Sequence, residues 1–573
     1  MKKIFLLLIG FTILSGVLTS CEDIFGDFLD KAPGIDVTID TIFSSPSQVE
    51  TAIVHLYNYD AGGFSIFPVS GGAMQWEYNT AYSDEGQSGQ TWTFSNTYNS
   101  GALTAAGMFP IDRAFNSRWV GIRHANILLQ QVDDVPGMTS QQINEAKGQA
   151  RFIRALRYFE MFKRYGSVPI VETPFELSDD FFVGRNKLEE VVDFIVADCD
   201  AAASLLPEKQ PVDMFGRASK GAALMLKART LLYAASPLFN TGTPYLDMDN
   251  KEHNSYICLG DYDVNRWQVA ADAAKACIDW AQSNGYHLIT DKGVDENYRY
   301  MHENDGNAEI ILASRIYGRG AAWNWPWIGF IIWSHSHGSS MTYNFLQLYE
   351  KQDGTQQDWN PIGGDDLTEK LSELDRRFHQ STAPVGSYWN ADIPMVNSFV
   401  GGNLNAGCFG GTWITKFCPQ GMRKSGGSYA PNDVIFRLAE AYLNYAEALN
   451  ESQGPVNEAY NYVNIIRSRS GQPDLPPDLT QDQFRKRVRN ERAIELFGEF
   501  HRQWDLNRWL IAEEVFNKDF QGFKAYRNPA PPNFRYEVYN IGTRIFPRRQ
   551  YLLPFLRDEV LKKDYLAQNP GWD

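Results

Sequence analysis

The sequence predicts a mainly α-helical protein, built as a tetratricopeptide-like helical superhelix with a large loop-rich half and few short strands. Two observations support this fold class. Apolar residues recur at intervals of three and four through long stretches of the chain, as they do on one buried face of a helix. Two other long stretches lack that period, and strands do not alternate with helices as they would in a doubly wound sheet.

The clearest helical pattern in the N-terminal half begins near Ile143 and ends where Gly166 and Pro169 interrupt it. Its apolar positions share the spacing of a single helix face. These positions are Ala146, Ala150, Ile153, Leu156, Phe159 and Phe162.

Three further helices are predicted over residues 187–206, 220–235 and about 266–283. Pro207, Pro237 and Asn284-Gly285 stand where the respective patterns end. The middle helix carries small residues that permit a neighbouring helix to approach closely. These are Gly221, Ala222, Ala223 and Ala228.

A helix pair is predicted near the C-terminus. Asn432 or Asp433 can cap a helix that runs to about Asn450, and Gly454-Pro455 then turns the chain. The second helix of the pair stops near Gly471 and Pro473. Two antiparallel helices in so short a stretch resemble a tetratricopeptide unit, which must stack on others to bury its apolar face.

The remaining organisation follows from these patterns. Residues 41–573 are predicted to form a single domain, with helix pairs over about 116–285 and 431–510. Its loop-rich parts, about 61–110 and 286–430, are rich in Gly, Asn, Ser, Thr and aromatic residues, a composition typical of binding loops. Short strands are predicted at 309–316 and 168–171.

The N-terminus carries an export signal. Lys2 and Lys3 precede a short apolar run, and Leu18-Thr-Ser-Cys21 ends it. This ending resembles the bacterial lipoprotein signal, so residues 1–20 are predicted to be removed and Cys21 to be acylated. An ordinary cleaved signal with a chance cysteine is the alternative. Residues 21–40 then form an acidic tether that links the lipid to the domain.

The charge of the chain restricts its partners. The 53 basic and 69 acidic residues give a formal charge of −16, which becomes −18 when Lys2 and Lys3 leave with the signal. This balance argues against a nucleic acid or an anionic lipid as the partner. It suits a neutral ligand or a solubilised surface protein equally well.

Trp residues in polar loops are candidates for ligand binding, because flat aromatic rings match the apolar C–H faces of sugars. The sharpest cluster is Trp323-Asn-Trp325-Pro-Trp327, whose alternation places three rings on one side of an extended segment. The alternative interpretation is a strand face buried in the core, since Trp is usually well buried.

A second aromatic cluster lies in the early loop region. It consists of Trp76, Tyr78 and, further along, Trp92. Trp359, Trp389 and Trp413 are weaker candidates by the same burial argument.

The sequence predicts neither an enzyme nor a metal or other cofactor. Motifs of serine hydrolases, zinc peptidases and phosphate-binding loops are absent. His335 and His337 lack a matched third ligand, and Asp247-Met-Asp-Asn250 lacks the glycine and terminal glutamate of a calcium loop. A glycosidase needs two placed carboxylates, which 69 acidic residues neither reveal nor exclude.

Four segments together resemble the SusD/RagB family of outer-membrane lipoproteins. They are the Leu18–Cys21 ending, the stretch from Ala150 to Ile170, the stretch from Asp433 through Asn490-Glu-Arg to Trp509, and the tail Gln568-Asn-Pro-Gly-Trp572. Arg487/Glu491 and Arg492/Glu495 have the spacing of exposed ion pairs along one helix, so that stretch is interpreted as scaffold.

The resemblance implies a lipid-anchored protein on the cell surface, at the outer membrane. Members of this family cap a TonB-dependent (SusC-like) transporter and capture oligosaccharides or polysaccharides, and sometimes peptides, without catalysis. The function predicted is therefore glycan capture for a partner transporter. Peptide capture within the same family and a lipid-anchored glycosidase are the alternatives.

Overall fold

The fold is described by a computed structural model of the chain. It covers residues 39–58, 79–91, 93–106, 112, 114–176, 178–304, 306–314, 338–416, 420–421, 433–530, 534–562 and 565–572. Within these ranges the structure is mostly helical, with few short strands, as the sequence predicts.

The first α-helices in chain order are α1 (Ile39–Ile42), α2 (Pro46–Asn58), α3 (Phe94–Asn99), α4 (Phe115–Gln131), α5 (Ser140–Tyr165), α6 (Leu188–Leu205), α7 (Lys220–Ala235), α8 (Asn265–Ser283) and α9 (Asn297–Glu303). They are followed by α10 (Tyr343–Leu346), α11 (Leu367–Ser372), α12 (Arg376–Ser381), α13 (Leu438–Gln453), α14 (Asn457–Arg469), α15 (Gln481–Glu495), α16 (Arg502–Arg508), α17 (Ala512–Phe516) and α18 (Arg557–Lys562).

The strands form three small antiparallel sheets. The strands are β1 (Gly86–Ser88), β2 (Ile310–Ser314), β3 (Ser339–Met341), β4 (Gly363–Gly364), β5 (Thr382–Ala383), β6 (Thr412–Ile414), β7 (Asp433–Arg437), β8 (Asp519–Arg527) and β9 (Phe534–Thr543). One sheet has the order β1-β3-β6-β5, a second pairs β2 with β7, and a third has the order β4-β9-β8.

The helices α4 to α8 pack in chain order, each against the next, as in a stack of helix pairs. The helix after α8 in this stack is α13, and α13 in turn packs on α14 and α15. The loop-rich part between α8 and α13 is therefore inserted between two helices that contact each other. We refer to these packed helices as the helical stack and to residues 284–437 as the insertion.

Local signals explain the bounds of α5. Thr139 and Gln142 form a capping box at its start, which satisfies backbone donors of the first turn. At its end, Gly166 has φ +74°, a backbone conformation that favours glycine. The predicted inward face is buried, with Phe159 and Phe162 fully enclosed.

The small residues of α7 permit close packing, as predicted. A Cβ atom on Gly221 would collide with the indole ring of Trp280 on α8. That indole donates a hydrogen bond to Glu208, with 2.7 Å between Nε1 and Oε2. Any residue larger than glycine at position 221 thus requires the two helices to separate.

Two sequence predictions are wrong. Residues 433–437 form strand β7 and not the start of a helix, because Val434 and Phe436 pair with β2 and the helix begins only at Leu438. Residues 168–171 form no strand. The insertion carries the short helices α9 to α12 among its loops.

Within the described ranges, none of the helices is both long enough and apolar enough to cross a membrane.

Candidate ligand-binding site

One end of the four-stranded sheet brings together the flanks of the predicted binding loops. Gly89, just after β1, donates a backbone hydrogen bond to Gly338, with 2.9 Å between N and O. Thr80 donates to Ser339 on β3, with 3.1 Å between the hydroxyl oxygens. Because β3 and β6 are antiparallel, the residues after Ile414 lie at this same end. We call it the loop end of the sheet.

At the loop end the chain enters or leaves three segments that lie outside the described residues, and two of these segments contain Trp. Asn79 follows directly on the segment 59–78, Gly338 follows 315–337, and Lys416 precedes 417–419. A second pairing, Ser314 with Asp433, joins the other flank of 315–337 to the flank of 422–432. The described residues that flank these segments are therefore neighbours in the fold, although the segments lie far apart in the sequence.

The predicted site residues themselves lie outside the described residues. This applies to Trp76, Tyr78, Trp92, Trp323, Trp325 and Trp327, and also to the predicted lipid anchor Cys21. The structure thus positions the flanks of the predicted site, and the choice of individual rings stays a prediction.

The weaker candidates are core residues. Trp413 on β6 is fully buried and its indole donates to the Leu404 carbonyl oxygen at 2.8 Å. Trp359 packs in an aromatic cluster against Tyr343 and Tyr536. Trp389 is only 4% exposed. None of these three presents an open ring face for a ligand.

The loop end is fixed to the helical stack through the turn Leu496–Phe500, which follows α15. We call it the anchor turn. Lys416 donates from Nζ to the Phe497 carbonyl oxygen at 2.8 Å and to Glu499 Oε1 at 2.6 Å. Gly498, at φ +73°, donates its backbone N–H to Glu85 Oε1 at 2.8 Å. Two flanks of the binding loops therefore contact one turn of the scaffold.

Glu85 is a buried carboxyl group whose pKa is raised. Burial, which disfavours the charged form, raises its pKa to about 7, although the Gly498 N–H and the Ser83 hydroxyl act in the opposite direction. The Ser83 hydroxyl donates to Oε2 at 2.8 Å. The carboxyl group thus changes its charge near neutral pH, directly beneath the flank of the early loop.

A buried cluster of ion pairs surrounds the anchor turn. Arg437 contacts Glu309 at 2.9 Å, Glu495 at 2.6 Å and Glu499 at 2.8 Å. The other members pair within the same enclosed volume. They are Glu350, Asp375, Arg377, Lys416, Arg467, Arg469 and Glu491. We call this group the charge cluster.

The charge cluster lowers the pKa of two of its carboxylates, Glu495 and Glu499. Burial acts to raise the pKa of Glu495, but the guanidinium groups of Arg469, Arg437 and Arg377 outweigh it and lower that pKa far below its ordinary value. Burial likewise acts to raise the pKa of Glu499, and Arg437 and Lys416 reverse the direction.

The ion pairs predicted along α15 are wrong, although the helix itself is confirmed. Glu491 pairs with Arg377 and Arg467, and Arg487 pairs with Glu350. Arg492 likewise pairs with Asp505, at 3.1 Å from Nε to Oδ2. Most of these groups are buried, so they connect α15 to other segments. Helical spacing identifies exposed pairs, and it carries no signal for partners that are distant in sequence.

Glu85 and Lys416 were not identified from the sequence as residues that position the site. Neither belongs to a motif, and each acts through a contact with a segment far along the chain. The segment Asn490–Trp509, in contrast, could be interpreted as scaffold from the helical spacing of its charged residues.

No group of three or more His, Cys, Asp or Glu side chains in the described part of the chain is placed to hold a metal ion. His335 and His337 lie outside that part. Cys408 is buried, and Cys418 lies outside the described residues.

Comparison with known proteins gives matches over most of the chain. A family model described as "SusD family" matches residues 332–572. A second, described as "Starch-binding associating with outer membrane", matches residues 27–232. The two models leave residues 1–26, 233–331 and 573 unmatched.

Individual relatives agree with the family models. The starch-binding protein SusD of Bacteroides thetaiotaomicron is 24% identical over 464 residues, which are 75% of this chain and 76% of that protein. The crystal structure of a SusD-like protein from Bacteroides fragilis has a TM-score of 0.76 at 25% identity, covering 94% of this chain and 100% of that one. A laminarin-binding SusD-like protein has a TM-score of 0.56 at 21% identity, covering 92% and 100%, and shows a shared fold.

Proposed function

The chain belongs to the SusD/RagB family, and from that premise we propose that it captures oligosaccharides at the cell surface and delivers them to a partner TonB-dependent, SusC-like outer-membrane transporter. The ligand binds at the loop end of the sheet. The observation that carries this proposal is the meeting of Asn79, Gly89 and Gly338 at one place, because each adjoins a segment that contains Trp.

The nature of the ligand follows from the residues available. Trp and Tyr rings stack on the C–H faces of sugars and lose little conformational entropy when they do so. The acidic charge of −16 favours a neutral glycan over a polyanion. The names of two relatives, one starch-binding and one laminarin-binding, support glucans as the first ligands to test.

The first test is a titration of the chain from Glu22 onward with oligosaccharides of starch and of laminarin, within a wider glycan panel. We expect binding to one glycan class, with the ligand recovered unchanged. Release of shorter products would contradict capture without catalysis and favour the glycosidase. Binding of peptides but of no glycan would favour peptide capture.

The lipid anchor and the transporter are tested in cells. Acylation at Cys21 places the protein in the outer-membrane fraction, and Cys21→Ser should release it as a soluble protein. The anchored protein should co-purify with a TonB-dependent transporter. A Cys21→Ser protein that stays membrane-bound would contradict the anchor.

A further inference from the structure

The helical stack contains a cavity remote from the loop end. It has a volume of about 310 Å³, at the lower end of the range for small-molecule sites. One wall is the first half of α4, another is formed by residues 169–175 with Phe181 and Val183, and the third by Phe555, Glu559, Tyr565 and Leu566. None of its lining residues belongs to the four-stranded sheet or adjoins the loop end.

Aromatic rings in fixed orientations line this cavity. Trp119 makes edge-to-face contacts with Phe115, at 6.3 Å and 80°, and with Tyr158, at 6.2 Å and 88° between the rings. Phe175 and Phe181 make a similar contact at 5.5 Å. Phe181 is nonetheless 53% exposed, which is unusual for a residue of this size.

Polar groups stand beside these rings. Arg123 donates from Nη1 to the Phe175 carbonyl oxygen at 2.7 Å, which fixes the segment that carries both Phe rings. A guanidinium has five N–H donors, so this bond uses a small part of its capacity. Asn116 and Glu559 also line the cavity, and Glu559 accepts one hydrogen bond from Lys562 at 2.6 Å.

We propose that this cavity is a second saccharide-binding site, which takes a neutral pyranose unit. The rings of Trp119 and Phe181 contact the C–H face of the sugar, while Asn116, Arg123 and Glu559 bind its hydroxyl groups. A hydrocarbon ligand would make no hydrogen bond to these three polar side chains, and an ionic one would meet both signs of charge.

The second site extends the proposed function, on which it rests. A polymer bound at the loop end and in the cavity at once dissociates more slowly than one bound at either place, because the second contact is intramolecular. Oligosaccharides too short to reach both places bind each one separately. The cavity therefore selects for long glycans.

The test compares variants in titrations with laminarin and starch and with short oligosaccharides of each. Trp119→Ala should weaken polymer binding about tenfold or more, and leave the loop-end affinity for short oligosaccharides unchanged. Trp119 also has packing contacts, so a second variant is needed to separate binding from folding. It combines Asn116→Ala with Phe181→Ala, both at exposed positions. Tyr262→Ala, which removes another exposed aromatic side chain (63% exposed), is the matched control and should change nothing.

Hydrogen exchange with a bound short oligosaccharide gives an independent result. We expect protection of residues 115–123 and 171–183 that persists when Trp76, Trp323 and Trp325 are replaced by Ala. Polymer binding unchanged in both cavity variants, with no protection in these segments, would overturn the second site and leave the proposed function intact. Absence of binding to every glycan would overturn both.

Discussion

The helical stack and the insertion are stabilised in different ways. The stack is held by apolar helix faces that form one extended core, to which every helix from α4 to α8 contributes. The insertion has a smaller core around Phe345, Leu374 and Phe378, which reaches the stack through Ile494 and Phe497. Between the two cores lies the charge cluster. The halves are thus joined by buried ions as well as by apolar contact.

This difference bears on how the ligand specificity of such a protein can change during evolution. Apolar helix packing tolerates little change in shape, whereas segments that depart from a fixed end of a sheet can vary freely. The charge cluster and the anchor turn fix the base of the loops. Binding loops of different sequence can then be carried on the same scaffold.

The largest expected effect on stability comes from disrupting the charge cluster that joins the helical stack to the insertion. Glu495→Gln removes a carboxylate that contacts Arg377, Arg437 and Arg469, and leaves these three buried guanidinium groups with one negative charge fewer among them. We expect a loss of about 3–5 kcal/mol in the free energy of unfolding, measured by urea titration.

Glu537→Gln is the control for this change. It removes a carboxylate from a surface pair with Arg535 on β9 and should have little effect. An equally small effect of Glu495→Gln would mean that apolar contact alone joins the two halves.

Glu85→Gln tests whether the stability of the protein depends on pH through this one carboxyl group. The folded-state pKa is raised from 4.5 to about 7, so above pH 4.5 the folded state binds more protons than the unfolded state. Stability from this group is complete below pH 4.5 and is lost as the pH rises through 7. The loss corresponds to about 3 kcal/mol, which the glutamine variant should not show.

The measurement is the difference in unfolding free energy between Glu85→Gln and the wild type from pH 5 to 8. Glu303, whose pKa burial also raises to about 7, is present in both proteins and cancels. A difference that does not grow with pH would refute the assigned state of Glu85.

A smaller effect is expected inside the stack. Gly221→Ala places a methyl group against the Trp280 ring and should cost about 1–3 kcal/mol, as overpacking does. The same substitution in a Trp280→Leu background should cost less. Equal costs in both backgrounds would show that this contact does not set the spacing of α7 and α8.

The sequence was sufficient for the stack because its signals are local. Thr139, Gly166 and the apolar period between them lie within one segment, so α5 could be bounded directly. The bounds of strand β7 could not be predicted in this way, because Val434 and Phe436 adopt extended backbone only by pairing with a distant strand. Tertiary contact there overrides the pattern of the neighbouring helix.

The candidate site was predictable in part. The family pattern and the Trp-rich loops indicated a binding protein and its loop regions. The positions of Glu85 and Lys416 beneath those loops depend on contacts with the anchor turn, and no spacing in the sequence reports them. For the same reason the sequence did not identify the cavity, whose walls come from three separate segments.

The most direct test of the account is a glycan titration of the variant in which Trp76, Trp323 and Trp325 are replaced by Ala. We predict that binding of short oligosaccharides at the loop end is lost while the free energy of unfolding stays at the wild-type value, as expected of rings that serve the ligand. Unchanged affinity at the loop end would contradict the assignment of these residues to the site.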